Sequence, residues 1–332
     1  MKVLIVDDSA LMRAVLKTFL ENEKDIHIIG EATNGERAVK MTKDLSPDLI
    51  IMDIKMPVMD GLEATQRIMK VNPAPIIIFS GEANAENSFN AINLGAADVM
   101  QKPDIDQIND PVFQKTFLTK IRTLAKKHLY YKAKPSENPK HIKLPVKKFK
   151  FIVIGASTGG PAAVREVLSG IPGNFSVGIA LVQHLEKGFD SGYASWLNEA
   201  TDLKVKLAEK RNTIIPGEVI IAPTEVHLTV DGNLLVLDDG PKVLNQKPSV
   251  DVLFETAADS FRENLLGVLL TGMGSDGANG CVSILSKGGT TLVQDQATSA
   301  IFGMPKAAIE LGGASKVLPL SDISRTIISM VK

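Results

Sequence analysis

The chain holds one cysteine, Cys281, in 332 residues. No disulfide can form within it, and a four-cysteine zinc site is excluded. No apolar run approaches the roughly 18 residues of a membrane span, so membrane insertion is not expected. The start, Met1-Lys2-Val3-Leu4-Ile5-Val6, meets Asp7 and Asp8 after four apolar residues, too few for a signal-peptide core. A cytoplasmic protein is expected. A net charge is missing as well: 37 Lys and Arg stand against 38 Asp and Glu, leaving −1. That balance is uneven along the chain. Residues 1–119 sum to −6 and residues 151–332 to −5, while residues 120–150 hold +10. Neither acidic block suits a polyanion, because nucleic-acid modules cluster positive charge on the folded domain. No nucleic-acid partner is expected, and a DNA-binding output is disfavoured.

What is present is an ordinary globular mixture, 44% hydrophobic and 23% charged, which excludes wholesale disorder. At about 150 residues per domain the length points to two domains. The first 125 residues alternate between strand and helix. Val3–Val6, His27–Gly30, Leu49–Met52, Ile76–Phe79 and Ala97–Met100 read as strands, most of them continuous apolar runs of the buried parallel kind. Between them, Ser9 caps a helix expected to turn Leu11, Val15, Leu16, Phe19 and Leu20 inward. Further helices follow at Asn34–Met41, Gly61–Met69 and Ala85–Leu94, and a last one from about Val112 to Lys127. Five such units predict a doubly wound parallel sheet.

In these sheets function sits at the carboxyl ends of the strands. Asp7 and Asp8 fall there after the first strand, Asp53 after the third, Ser80 after the fourth and Lys102 after the fifth. Three carboxylates at one edge repel one another unless they share a divalent cation. Mg²⁺, hard and oxygen-seeking, suits them. Lys102 adds positive charge for an incoming phosphoryl group, and Asp53 is then a candidate nucleophile. The plainer alternative for Asp7 alone is a helix cap. The segments Val6-Asp7-Asp8-Ser9, Asp53-Ile54-Lys55-Met56-Pro57-Val58-Met59-Asp60-Gly61 and Lys102-Pro103 resemble a response-regulator receiver domain over residues 1–122. The resemblance implies phosphorylation of Asp53 by a histidine kinase. It also implies Mg²⁺ held by Asp7, Asp8, Asp53 and the backbone carbonyl of Lys55, with Ser80 and Lys102 as the switch pair. Val99 stands where receivers often carry an aromatic switch residue.

Residues 123–148 read as a linker, with eight lysines interspersed by Pro135, Pro139 and Pro145. Self-repulsion and prolines favour an extended tether. An electrostatic strap between two acidic domains and a solvated hinge are both compatible with it.

Residues 149–332 open on a strand, Phe149–Ile154, that runs into Gly155-Ala156-Ser157-Thr158-Gly159-Gly160-Pro161 and a helix. This is the strand–turn–helix setting of G-x-S-x-G, with a serine hydroxyl at a helix N-terminus. A phosphate-cradling glycine loop is the alternative. The turn has neither the Lys-Ser/Thr of a P-loop nor G-x-G-x-x-G. A serine nucleophile needs a base and an orienting acid. His184 ends the apolar strand Val177–Gln183, at the same sheet edge as Ser157. His227 opens a hairpin, His227–Leu235, and reads as structural. Asp276 lies among glycines in Thr271-Gly272-Met273-Gly274-Ser275-Asp276-Gly277 after strand Leu266–Leu270. Ser157, His184 and Asp276 form a candidate triad.

Those segments, with Gln183-His184, Ile221-Ala222-Pro223, Pro248-Ser249-Val250-Asp251 and Phe302-Gly303-Met304-Pro305, resemble the catalytic domain of the chemotaxis protein-glutamate methylesterases. Asn245-Gln246-Lys247 departs from the His-Arg that often precedes Pro-Ser-Val-Asp there. The resemblance implies a mostly parallel, doubly wound α/β hydrolase domain with a β-hairpin, needing no metal. It implies demethylation of methyl-accepting chemoreceptors, glutamine deamidation at the same site, and an oxyanion held by the backbone N–H groups of Thr158 and Met273. It further implies a receiver that hinders the hydrolase site until phosphorylated. Two other classes stay open on the residues alone: a receiver joined to a phosphate- or nucleotide-binding module, and a non-catalytic phospho-switch scaffold.

Overall fold

Parallel strands buried on both faces dictate the architecture of both halves. The computed structural model describes residues 1–81, 85–127 and 149–331. The chain divides into two units, residues 1–138 and 139–332. The linker reading of Lys132 to Lys148, with its prolines, lies outside the described residues.

In the first unit β1 (Lys2–Val6), β2 (His27–Ala32), β3 (Leu49–Asp53), β4 (Ile76–Ser80) and β5 (Asp98–Gln101) form one parallel sheet in the order β2-β1-β3-β4-β5. Their connections are α1 (Ala10–Glu21), α2 (Gly35–Leu45), α3 (Gly61–Val71), α4 (Ala85–Ser88), α5 (Asn90–Asn93), α6 (Ile105–Asn109) and α7 (Pro111–Lys127). Val3, Ile5, Leu49, Ile51, Ile77 and Phe79 pack under Leu16, Phe19 and Leu20 of α1 and Phe117 and Ile121 of α7. Two expectations are corrected here. Leu11 faces outward, 64% exposed, because at about 100° per residue it lies nearly opposite the buried Leu16 and Leu20 on α1. The helix expected over Ala85–Leu94 is two short pieces that break at Phe89, which is itself buried. Helix α7 runs to Lys127, as expected, with Leu124 and Ala125 buried in the same core.

In the second unit seven parallel strands run in the order β15-β14-β13-β6-β7-β10-β8. They are β6 (Phe151–Ala156), β7 (Gly178–Gln183), β8 (Lys204–Leu207), β10 (Glu218–Ile221), β13 (Leu265–Leu269), β14 (Thr290–Gln294) and β15 (Lys316–Leu318). Between β8 and β10 lies β9 (Arg211–Thr213). It joins the expected hairpin, β11 (His227–Asp231) and β12 (Leu234–Asp238), in a small antiparallel sheet. The helices are α8 (Gly160–Ser169), α9 (Asp190–Ala200), α10 (Val250–Phe261), α11 (Ala278–Ser286), α12 (Met304–Glu310) and α13 (Leu320–Met330). Strand β6 is the centre from which the order grows both ways, to β7 and to β13. The crevice at its carboxyl end is therefore a topological switch point, where ligands bind in sheets of this class. In the first unit β1 and β3 meet in the same way. No described helix is long and apolar enough to cross a membrane.

Candidate functional sites

The receiver-like site lies at the β1/β3 crevice. Ligand oxygens of Asp7, Asp8 and Asp53 all fall within 4.8 Å of one another. The Lys102 ammonium bridges two of them, 2.7 Å from Asp7 Oδ2 and 3.0 Å from Asp53 Oδ2. Local bonds set the other oxygens: Ser9 N–H donates to Asp7 Oδ1, and Ile54 N–H to Asp53 Oδ1. Burial raises the Asp53 carboxyl above its usual range, against the pull of Lys102. Burial also works against the Lys102 ammonium, but its two carboxylate partners outweigh it and hold the proton on. Crowded, partly desolvated carboxylates with one cation between them are a donor set that fits Mg²⁺. Lys55 is two residues past Asp53, and its carbonyl accepts no hydrogen bond among the described residues. Ser80 ends β4, buried, and donates to Gly81 O at 3.3 Å. Val99 pairs with Ile78 in β5.

The hydrolase-like site lies at the β6 crevice. Ser157 follows β6 directly, and its N–H donates to Thr271 O at 3.0 Å, which ties it to the turn after β13. That turn comes so close that a Cβ on Gly272 would sit 2.8 Å from Ser157 Cβ. Gly159, in the left-handed region at φ 72°, starts α8, and a Cβ there would strike Ala300. Glycine is required at both places by contact, and at Gly159 by conformation as well. His184 follows β7, the strand beside β6, and its N–H donates to Ala156 O.

The His184 side chain donates from Nε2 to Asp276 Oδ2 at 2.8 Å. A carboxylate can only accept, so Nε2 carries a hydrogen, and in the neutral imidazole the lone pair is on Nδ1. Nδ1 is buried and makes no hydrogen bond. The serine–imidazole bond is thus open in this state, as in many enzymes without substrate. Burial presses the Asp276 carboxyl upward. The His184 hydrogen bond and charge, with the N–H groups of Asp251 and Val250, more than reverse this and hold it below the usual carboxylate range. The backbone N–H groups of Thr158 and Met273 donate to nothing among the described residues.

Sequence reasoning missed the residues that hold this site. Gln183 Nε2 donates to Ser157 O at 2.8 Å and His184 O at 3.0 Å. Thr271 Oγ1 links Thr158 O and the Ile301 backbone. Ser249, Val250 and Asp251 all bond Asp276. The visible signal for the last three was a serine N-cap followed by an acid at a helix start. His227 is placed as expected of a structural residue. It is buried, its Nδ1 accepts from Ser249 N–H, and its Nε2 donates to Pro241 O.

Both halves of the chain match known families. Residues 152–327 match the CheB methylesterase family and residues 3–112 the response regulator receiver domain. A protein-glutamate methylesterase/protein-glutamine glutaminase of Carboxydothermus hydrogenoformans is 41% identical over 98% of each chain. One of Methanospirillum hungatei is 38% identical over 99% of this chain and 98% of its own. The CheB methylesterase catalytic domain of Thermotoga maritima covers 56% of this chain and all of its own, at 38% identity and a TM-score of 0.54.

Proposed function

The chain belongs to the CheB family of protein-glutamate methylesterases/protein-glutamine glutaminases, and from that premise we propose that Ser157, His184 and Asp276 hydrolyse glutamate methyl esters on methyl-accepting chemoreceptors. The protein is a carboxylic ester hydrolase joined to a response-regulator receiver domain, and it serves chemotactic adaptation. A phosphate- or nucleotide-binding module without hydrolase activity is not favoured.

The observation that carries the reading is the His184 imidazole. It is tied through Nε2 to an ionised Asp276, holds Nδ1 unbonded, and stands on the strand next to Ser157. Nδ1 takes the proton of Ser157 Oγ as the oxygen attacks the ester carbonyl. The N–H groups of Thr158 and Met273 hold the oxyanion, a contribution of about 10²–10³ in rate per donor in comparable sites. The imidazolium, stabilised by Asp276, returns the proton to the departing methoxide. Methanol leaves an acyl-serine. Water, deprotonated by Nδ1, releases glutamate and restores the serine. With glutamine as substrate, ammonia departs in place of methanol, so deamidation needs no further residue.

In the receiver, Asp53 accepts the phosphoryl group from a chemotaxis histidine kinase. Asp7, Asp8, Asp53 and the Lys55 carbonyl would hold Mg²⁺, which supplies positive charge for the phosphoryl oxygens. Lys102 orients those oxygens, and Ser80 donates to one of them after β4 shifts. The test is methanol release from methylated receptors, with and without a small phosphodonor. Release that depends on Ser157 and rises with phosphorylation is expected. Tight phosphate or nucleotide binding at Gly155–Gly160 without methanol release would overturn the reading.

A further inference from the structure

Asp276 is not oriented by its own loop. Of the four hydrogen bonds its carboxylate takes, three come from one stretch 25 to 27 residues earlier: Ser249 Oγ–H to Oδ1 at 2.8 Å, Asp251 N–H to Oδ1 at 2.9 Å, and Val250 N–H to Oδ2 at 2.7 Å. Ser249 is the N-cap of α10, and Val250 and Asp251 are its first two residues. Asp276 thus fills the anion position that the start of α10 offers. The reverse contact is as direct. Asp251, in the first turn of α10, accepts from Gly280 N–H at 2.7 Å in the first turn of α11. The N-cap of α11 is Gly277, which has no side chain to cap with. A Cβ on Gly280 would sit 2.5 Å from Phe254 Cβ, so the two helices meet at backbone distance.

We propose that Ser249 and Asp251 are positioning residues for the hydrolysis: α10 and α11 exchange N-terminal caps, Asp276 for one and Asp251 for the other, and the Ser249 hydroxyl closes the exchange so that Asp276 presents Oδ2 to His184. This rests on the reading of Asp276 as the acid of the triad. A carboxylate rotates freely about Cβ–Cγ unless both oxygens are engaged. Turning Oδ2 away from His184 would break the two bonds on Oδ1 in a buried place, where unpaired donors are costly. His227 anchors the other side of Ser249 by accepting its N–H at 3.1 Å. Asp251 serves as the acceptor that holds Gly280 N–H. Burial, and after it the nearby Asp276, push its carboxyl up to about 6 against the Gly280 N–H. Glu255, one turn further along α10, is raised by burial and by Asp259 and Asp276.

The experiment uses the full chain, with methylated receptor as substrate and active sites counted by an irreversible serine reagent. For Ser249→Ala, kcat per active site should fall about 10- to 100-fold, as expected for a misdirected catalytic group, with KM changed by less than about twofold. Ser249→Thr, which keeps the hydroxyl, should recover most of the loss. Asp251→Ala should likewise lower kcat. Asp251→Asn, which keeps an acceptor for Gly280, should lose at least about tenfold less than the alanine variant if the bond acts by positioning. A purely structural role predicts a lower Tm and fewer active sites with kcat per site unchanged. That result, or equal losses for Ser249→Ala and Ser249→Thr, overturns the proposal. Failure of the triad reading would show separately, as turnover retained by Asp276→Ala.

Discussion

Both sheets place an aspartate at the switch point of their strand order, yet Asp53 and Asp276 are prepared in opposite ways. Asp276 is saturated. Two N–H groups, a hydroxyl and an imidazole fill its oxygens, and its proton affinity falls despite burial. Asp53 has one backbone N–H and a shared ammonium, two neighbouring carboxylates, and a proton affinity raised by burial. An acid that must only orient a base is fixed by donors on every side. An acid that must attack phosphorus, or take a cation, keeps lone pairs uncommitted and bears the repulsion until the partner arrives.

The sharpest break of this contrast is at the hydrolase site. Ser157→Ala and His184→Ala should each lower methanol release by about 10⁶-fold, and Asp276→Ala by about a hundredfold less, since nucleophile and base act as a unit. An Asp276 variant as silent as the serine variant would mean that the carboxylate does more than orient. Next comes the receiver. Asp53→Asn should take no label from a small phosphodonor, and a chelator should abolish labelling of the wild type. Equal labelling of both proteins would place the phosphate elsewhere. Residues 149–332 alone should hydrolyse faster than the unphosphorylated full chain and ignore phosphodonor. A fragment slower than the intact protein would make the receiver an activator.

Smaller effects test how the acids are held. Asp251 titrates near 6 when folded, against an ordinary 3.8. Its stabilising contribution is complete below about pH 4 and is lost as pH rises through 6, because the folded chain must then ionise a buried acid. Asp276, with its lowered pKa, has the opposite sign and stabilises as pH rises. Asp251→Asn should therefore gain urea resistance relative to wild type between pH 4 and 7. Parallel pH profiles of the two midpoints would remove Asp251 as the titrating group. Smallest of all, His227→Ala should cost about 1–3 kcal/mol of stability through its lost buried hydrogen bonds. Turnover per folded molecule should fall far less than in His184→Ala.

Much of this is legible in the sequence alone. Val3–Val6, Leu49–Met52, Ile76–Phe79, Ile152–Ile154 and Ile179–Val182 are apolar on both faces, which only a covered parallel strand explains. The residues at the ends of such strands lie at one edge of their own sheet, so Asp7 and Asp53 could be grouped in the first unit, and Ser157, His184 and Asp276 in the second, by position alone. Polar or short elements were not legible. Strand β9 is Arg-Asn-Thr, with no apolar pattern to mark it. Helix α6 is five residues long, although its capping box from Asp104 to Gln107 was in plain view. The partners of Asp276 were hidden for another reason. Ser249 and Asp251 reach it across 25 to 27 residues, through helix ends that no local pattern brings together.

The orientation of one ring has a chemical consequence for anyone designing reagents against this site. With Nε2 committed to Asp276, the nitrogen open to an electrophile is the one adjacent to the carbon that carries Cβ. A haloketone built on a glutamate side chain should therefore alkylate His184 at that inner nitrogen. After performic acid oxidation of the ketone adduct and acid hydrolysis, the two carboxymethyl-histidine regioisomers separate by chromatography. The ratio between them reads the direction of the imidazole in solution, with no need for turnover.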